Sequence, residues 1–113
     1  MAPGADRFRR LALALPGAIE GAHHGHPDFR VHGRVFASLH PDGEQAMVRV
    51  LPAVQERLVA AAPGVFAPAS GAWGRAGCTM VRLAAVSPTA LRDALGEAWQ
   101  AAGAAVAERR AKK

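Results

Sequence analysis

The stretch FRVHGRVFASLHPDGEQAMVRV, residues 29–50, decides the fold. Apolar and polar residues alternate in it with period two, and turn signals cut it into three pieces, which is the pattern of an antiparallel meander. Phe29 to Val31 and Arg34 to Leu39 flank His32-Gly33, a two-residue hairpin turn. Pro41-Asp42-Gly43-Glu44 makes the next reversal, and Gln45 to Val50 returns as a third strand. Outward from this core, Cys78 to Leu83 alternates in the same way, and Glu20 to His24 adds a short strand ahead of the hairpin.

The flanks switch to helical spacing. Phe8, Leu11, Ala12 and Leu15 recur behind Asp6 as N-cap, and Pro16-Gly17 stops the run. Pro52 opens a second helix with Val54, Leu58, Ala61 and Ala62 on one side, closed by Pro63-Gly64. Ser87 and Pro88 start the last one, in which Leu91, Leu95, Ala98, Trp99, Ala102 and Val106 share a face that Gly96 and Gly103 weaken. The fold class is therefore α+β, a two-layer sandwich with an antiparallel sheet of about four to six strands and three helices packed mainly on one face. Between the strands, Phe66 to Gly77, rich in Gly, Ala and Pro with Trp73 inside it, reads as a long connection, of a length that is often functional or a covering flap.

With 113 residues the chain fills one domain, taken as 1–107, followed by a basic tail at 108–113. The net charge of +5 suggests nucleic acid until it is located, because Arg109, Arg110, Lys112 and Lys113 hold four of the fourteen basic residues. Ten basic and eight acidic residues leave the body at only +2. The single cysteine, Cys78, excludes an internal disulfide and points to a reducing cytoplasm. No run approaches the roughly 20 apolar residues of a membrane span, and MAPGADRFRR lacks the apolar segment of a signal peptide.

Strand parity assigns the faces. Val35, Ala37, Leu39, Ala46, Val48, Val50, Thr79, Val81 and Leu83 fall on the helix-packed side. Phe29, Val31, Arg34, Phe36, Ser38, Met47, Arg49, Cys78, Met80 and Arg82 fall on the other, a half-apolar face with three arginines. Phe29 and Phe36 are cross-strand neighbours there, an arrangement in which aromatic rings stack bases while Arg34, Arg49, Arg82 and nearby Arg75 meet phosphates. The competing reading has Trp73 filling the same face as a second small core, with Arg75 and Arg30 pairing acids instead of a ligand.

LALALPGAIE, then HHGHPDFRVHGRVFASL, then WGRAGCTMVRL and a closing amphipathic helix resemble the MmcQ/YjbR-like family over nearly the whole chain. The elements that carry the likeness are Pro16-Gly17, Glu20, Gly25, Pro27, Phe29-Arg30-Val31, Gly33, Phe36, Trp73-Gly74-Arg75, Gly77 and Thr79. The resemblance implies a frataxin-like architecture, an antiparallel sheet with helices on one side, and DNA binding. Cys78 stands where the family often has a large aromatic residue. Frataxin-like iron binding requires an acidic ridge on the first helix, which here offers only Asp6.

Other constellations are weaker. His23, His24, His26, His32 and His40 invite a metal, yet there is no paired cysteine, no H-E-x-x-H, and no acid near the turn beyond Glu20 and Asp28, so solvated loop histidines outweigh a metal site. Cys78 has no orienting partner, Ser38 and Ser70 lack a nucleophile-elbow context, and Glu20 with Asp28 reads as strand-end acids more readily than as an acid/base pair. The expectation is a non-enzymatic, cofactor-free module that binds nucleic acid through the arginine-bearing sheet face. A protein-interaction or small-ligand domain using a groove under the Trp73 segment is the alternative, and a metal-dependent enzyme on the histidine turn comes third.

Overall fold

The computed structural model describes residues 3–23 and 25–111; the side chains of Pro3, His23, Arg109, Arg110 and Ala111 lie outside that description. The elements run α1 (Pro3–Leu13), β1 (Ile19–His23), β2 (His26–Val31), β3 (Arg34–Leu39), β4 (Gln45–Arg49), α2 (Pro52–Ala61), β5 (Phe66–Pro68), α3 (Gly71–Arg75), β6 (Cys78–Arg82) and α4 (Pro88–Ala111). The strands form one six-stranded sheet of order β1-β2-β3-β4-β6-β5, antiparallel at every pairing. The α+β class follows, with four helices in place of the three expected.

Local chemistry explains the turns. His32 and Gly33 both take positive φ, 53° and 79°, which gives the two-residue turn whose twist matches a hairpin. In the next reversal, Asp42 Oδ1 accepts the backbone N–H of Glu44 at 2.8 Å and of Gln45 at 3.1 Å. Those bonds, the Glu44 one foremost, hold the Asp42 carboxyl below the usual carboxylate range. At α4, Ser87 Oγ accepts Ala90 N–H at 3.1 Å ahead of Pro88, as a cap should. Asp6 lies in the first turn of α1, which begins at Pro3, so it complements the helix dipole and is not the cap. The helix α4 runs to Ala111, so the boundary placed after Ala107 falls inside it.

The core lies between the sheet and the helices. Phe8 of α1 meets Phe29 edge-on at 5.7 Å between ring centroids, and Leu91, Leu95 and Ala98 of α4 are buried with Ala37, Val48 and Val81 of the sheet. Trp99 Nε1 donates to Pro16 O at 2.8 Å, tying α4 to the chain leaving α1.

One irregularity changes the expected faces. Phe29 pairs with Ala37, but the next pair is Arg30 with Val35, so β3 carries one extra residue, Phe36. A bulge of this kind turns two consecutive side chains inward and reverses parity on its far side. Phe36 and Ala37 are accordingly both fully buried. The pairing of Val31 with Arg34 is as expected, yet these residues, with Phe29, now belong to the helix side, and Val35 moves to the open side with Arg30.

The segment after α2 also departs from expectation. Phe66–Pro68 pairs with β6 as the sheet's edge strand, and Gly71–Arg75 forms a short helix, so the connection has regular structure and its first part extends the sheet. Trp73 is 68% exposed and fills no second core.

Candidate nucleic-acid interface

The glycines around Trp73 are dictated by close approach. A Cβ on Gly74 would lie 1.8 Å from Ala69 O, and one on Gly77, whose φ is 110°, would lie 1.9 Å from Val50 O. With their backbones against neighbouring chain, α3 is held on the sheet by one side chain, Gln55 of α2. Its Nε2 donates to Gly74 O at 3.0 Å, Cys78 O at 3.1 Å and Thr79 Oγ1 at 3.1 Å, while Thr79 Oγ1 donates to Gly77 O at 3.0 Å. Gln55 and Thr79 are both buried, which makes the network a rigid anchor. Sequence reading missed Gln55, because a lone glutamine in a helix carries no signal until the strand beneath it is known.

The arginines divide by partner. Arg9 Nε donates to Glu20 Oε1 at 2.7 Å, Arg30 grips Asp28 through two bonds at 2.9 and 3.0 Å, and Arg57 reaches Asp93 at 3.3 Å and Glu97 at 3.1 Å. Glu20 and Asp28 are therefore neutralised on opposite faces of the sheet, not paired with each other. Among the described residues, no carboxylate lies within ion-pair reach of Arg34, Arg49, Arg75 or Arg82, nor of Arg7, Arg10 or Arg92.

Two of these come together at one end of the sheet, although the register puts Arg34 on the helix side with Val31 and Arg49 on the open side with Cys78. Arg34 and Arg49 line one cavity of about 180 Å³ at the end of the sheet, with Val50, Leu51, Ala76 and, from α4, Ala101, Ala102 and Ala105. Arg75 precedes Ala76 in the chain. One helical turn beyond Ala105 the chain reaches Arg109, the first basic residue of the tail. Arg82 is not part of this group. It pairs with Gln45 at the opposite end of β6 from Cys78 and Arg49, four residues or about 13 Å along the strand, and its Nη1 leans toward Gly64 O at 3.5 Å. A larger cavity of about 650 Å³ beside Arg82 is of mixed charge, with Arg7 and Glu44 also among its lining residues.

The remaining expected site residues are placed as follows. Phe29 and Phe36 are 0% exposed, so neither ring is available for stacking; the bulge puts them in the core. Met47 and Met80 face each other on the open side of the sheet. Burial pushes the Cys78 thiol up, against a smaller lowering by Arg49, the reverse of what an activated cysteine needs. Rings of His26 and His40 stand 6.2 Å apart, and His40 Nδ1 is 3.4 Å from Asp42 Oδ2. The side chain of His23 and all of His24 lie outside the described residues; among the described ones no three His, Cys, Asp or Glu side chains gather as a metal site.

The family model of YjbR matches residues 13–101, a span holding both Pro16-Gly17 and the Trp73 segment. The chain belongs to the YjbR family. The fold of this YjbR-family domain is similar to that of a solved Deinococcus radiodurans protein, DR2400, with a DUF419 domain, at a TM-score of 0.70 and 22% identity over 83% of this chain and 74% of that one. No curated protein matches it. No helix among the described residues is long and apolar enough to cross a membrane.

Proposed function

We propose that this YjbR-family domain is a non-enzymatic cytoplasmic module that binds nucleic acid through its phosphates, with Arg34 and Arg49 as the principal contacts and Arg75 beside them. The observation that carries the reading is that two arginines line one cavity with no carboxylate among the described residues in ion-pair reach of either. Guanidinium forks match phosphate oxygens bidentately and are always charged, so an uncommitted pair on one surface is a ready anion site. The cavity of about 180 Å³ is below the roughly 300 Å³ at which small-molecule pockets begin, which favours a polymer laid across the surface over an enclosed ligand.

The test is fluorescence anisotropy with DNA and RNA oligonucleotides at two salt concentrations. Affinity should fall steeply with salt, and Arg34→Gln with Arg49→Gln should lower the slope by about two units while weakening all sequences alike. Arg82→Gln should change little. The tail is the competing source of charge, so Arg109, Arg110, Lys112 and Lys113 are changed to Gln in a parallel variant. Salt-insensitive binding refutes the reading, as does a tail variant that loses all binding while Arg34→Gln/Arg49→Gln retains it.

A further inference from the structure

Resting on that reading, we infer that Trp73 is a base-stacking platform and that the site prefers single-stranded over duplex nucleic acid. Most tryptophans bury their large ring; this one is 68% exposed. It is also held in place, because Gly74 and Gly77 press their backbones on the neighbouring chain and Gln55 bonds α3 to the sheet. An exposed aromatic on an anchored helix gives up little conformational freedom when a flat partner lies on it.

Its position connects it to the arginines. Residues three apart on a helix share a side, about 5–6 Å between Cβ atoms. Ala76, the C-cap of α3 in αR conformation, stands three residues after Trp73, and it lines the cavity of Arg34 and Arg49. Leu51 lines the same cavity and is 58% exposed, so one large apolar side chain is exposed at the cavity itself and Trp73 is exposed three residues before Ala76 of its lining. Apolar surface beside unpaired positive charge fits an unstacked base next to its phosphate. Duplex bases are already stacked and present only phosphates to such a surface, whereas every single-stranded base has a free π-face. Trp73 thus takes the role that the buried Phe29 and Phe36 cannot.

The experiment compares a labelled oligodeoxythymidine with a labelled duplex of mixed sequence, on the wild-type chain, Trp73→Ala and Trp73→Phe. The wild type should favour the single strand. Trp73→Ala should weaken single-strand binding by about 5- to 150-fold, the range of one stacked base at tenfold per 1.4 kcal/mol. Its duplex affinity and its thermal melt should stay at the wild-type level, and Trp73→Phe should recover part of the loss. Equal single-strand affinity for wild type and Trp73→Ala overturns the inference while leaving the salt-dependent arginine site standing. A wild-type chain that binds neither probe overturns both.

Discussion

Replacing Gln55 by leucine keeps the volume and removes the amide that joins α2, α3 and β6. The amide nitrogen has two hydrogens for its three acceptors, Gly74 O, Cys78 O and Thr79 Oγ1, so two bonds' worth of interaction is lost. Neither carbonyl is left bare, because Gly77 N–H still reaches Gly74 O at 3.1 Å and Ala69 N–H reaches Cys78 O at 2.9 Å. The full penalty for an orphaned buried acceptor therefore does not apply, and each lost bond counts at its net value of about 1 kcal/mol. The expected loss is about 2 kcal/mol, or a fall in Tm of about 8–10 °C for a domain of this size. Differential scanning calorimetry and urea melts measure it. Because Gln55 anchors α3, the same variant should also blunt any stacking by Trp73 more than it weakens duplex binding. A destabilisation under about 0.5 kcal/mol would refute the claim that this network holds α3, since that is the scatter of exposed substitutions.

Other outcomes follow from the same geometry. Leu95→Ala, at a side chain 1% exposed in the middle of α4, should cost about 2–5 kcal/mol in a denaturant melt, as buried leucine deletions do. Asp42 has a depressed folded pKa, so its contribution is present above its unfolded value of about 3.9 and is lost as pH falls through the folded value. The stability curves of wild type and Asp42→Ala should therefore differ above about pH 4 and converge below it, which acid titration by circular dichroism checks.

Much of the fold could be read from local chemistry. His32-Gly33, Pro41 to Glu44, Ser87-Pro88 and Pro52 each act within a few residues, and short turns make successive strands neighbours, so strand order through β2, β3 and β4 was legible. Trp73-Gly74-Arg75 and Gly77 marked the segment that the structure shows docked by Gln55, although its helical form did not show in the sequence. What the residues could not reveal was the bulge at Phe36. Alternation within a strand leaves one extra residue invisible, because Phe36 and Ala37 are both apolar and either is acceptable on a core face. That single insertion decided which side of the sheet received Phe29, Val31 and Arg34. It took Arg34 off the open face, while the pairing of β4 with β6 separately put Arg49 and Arg82 at opposite ends of that face. Covalent neighbours thus determined the two reversals at His32-Gly33 and Pro41 to Glu44 and the starts of α2 and α4. Only the packed structure decided which arginines meet and which aromatic faces solvent, because both depend on register and on contacts such as Gln55 to Cys78, between residues far apart in sequence.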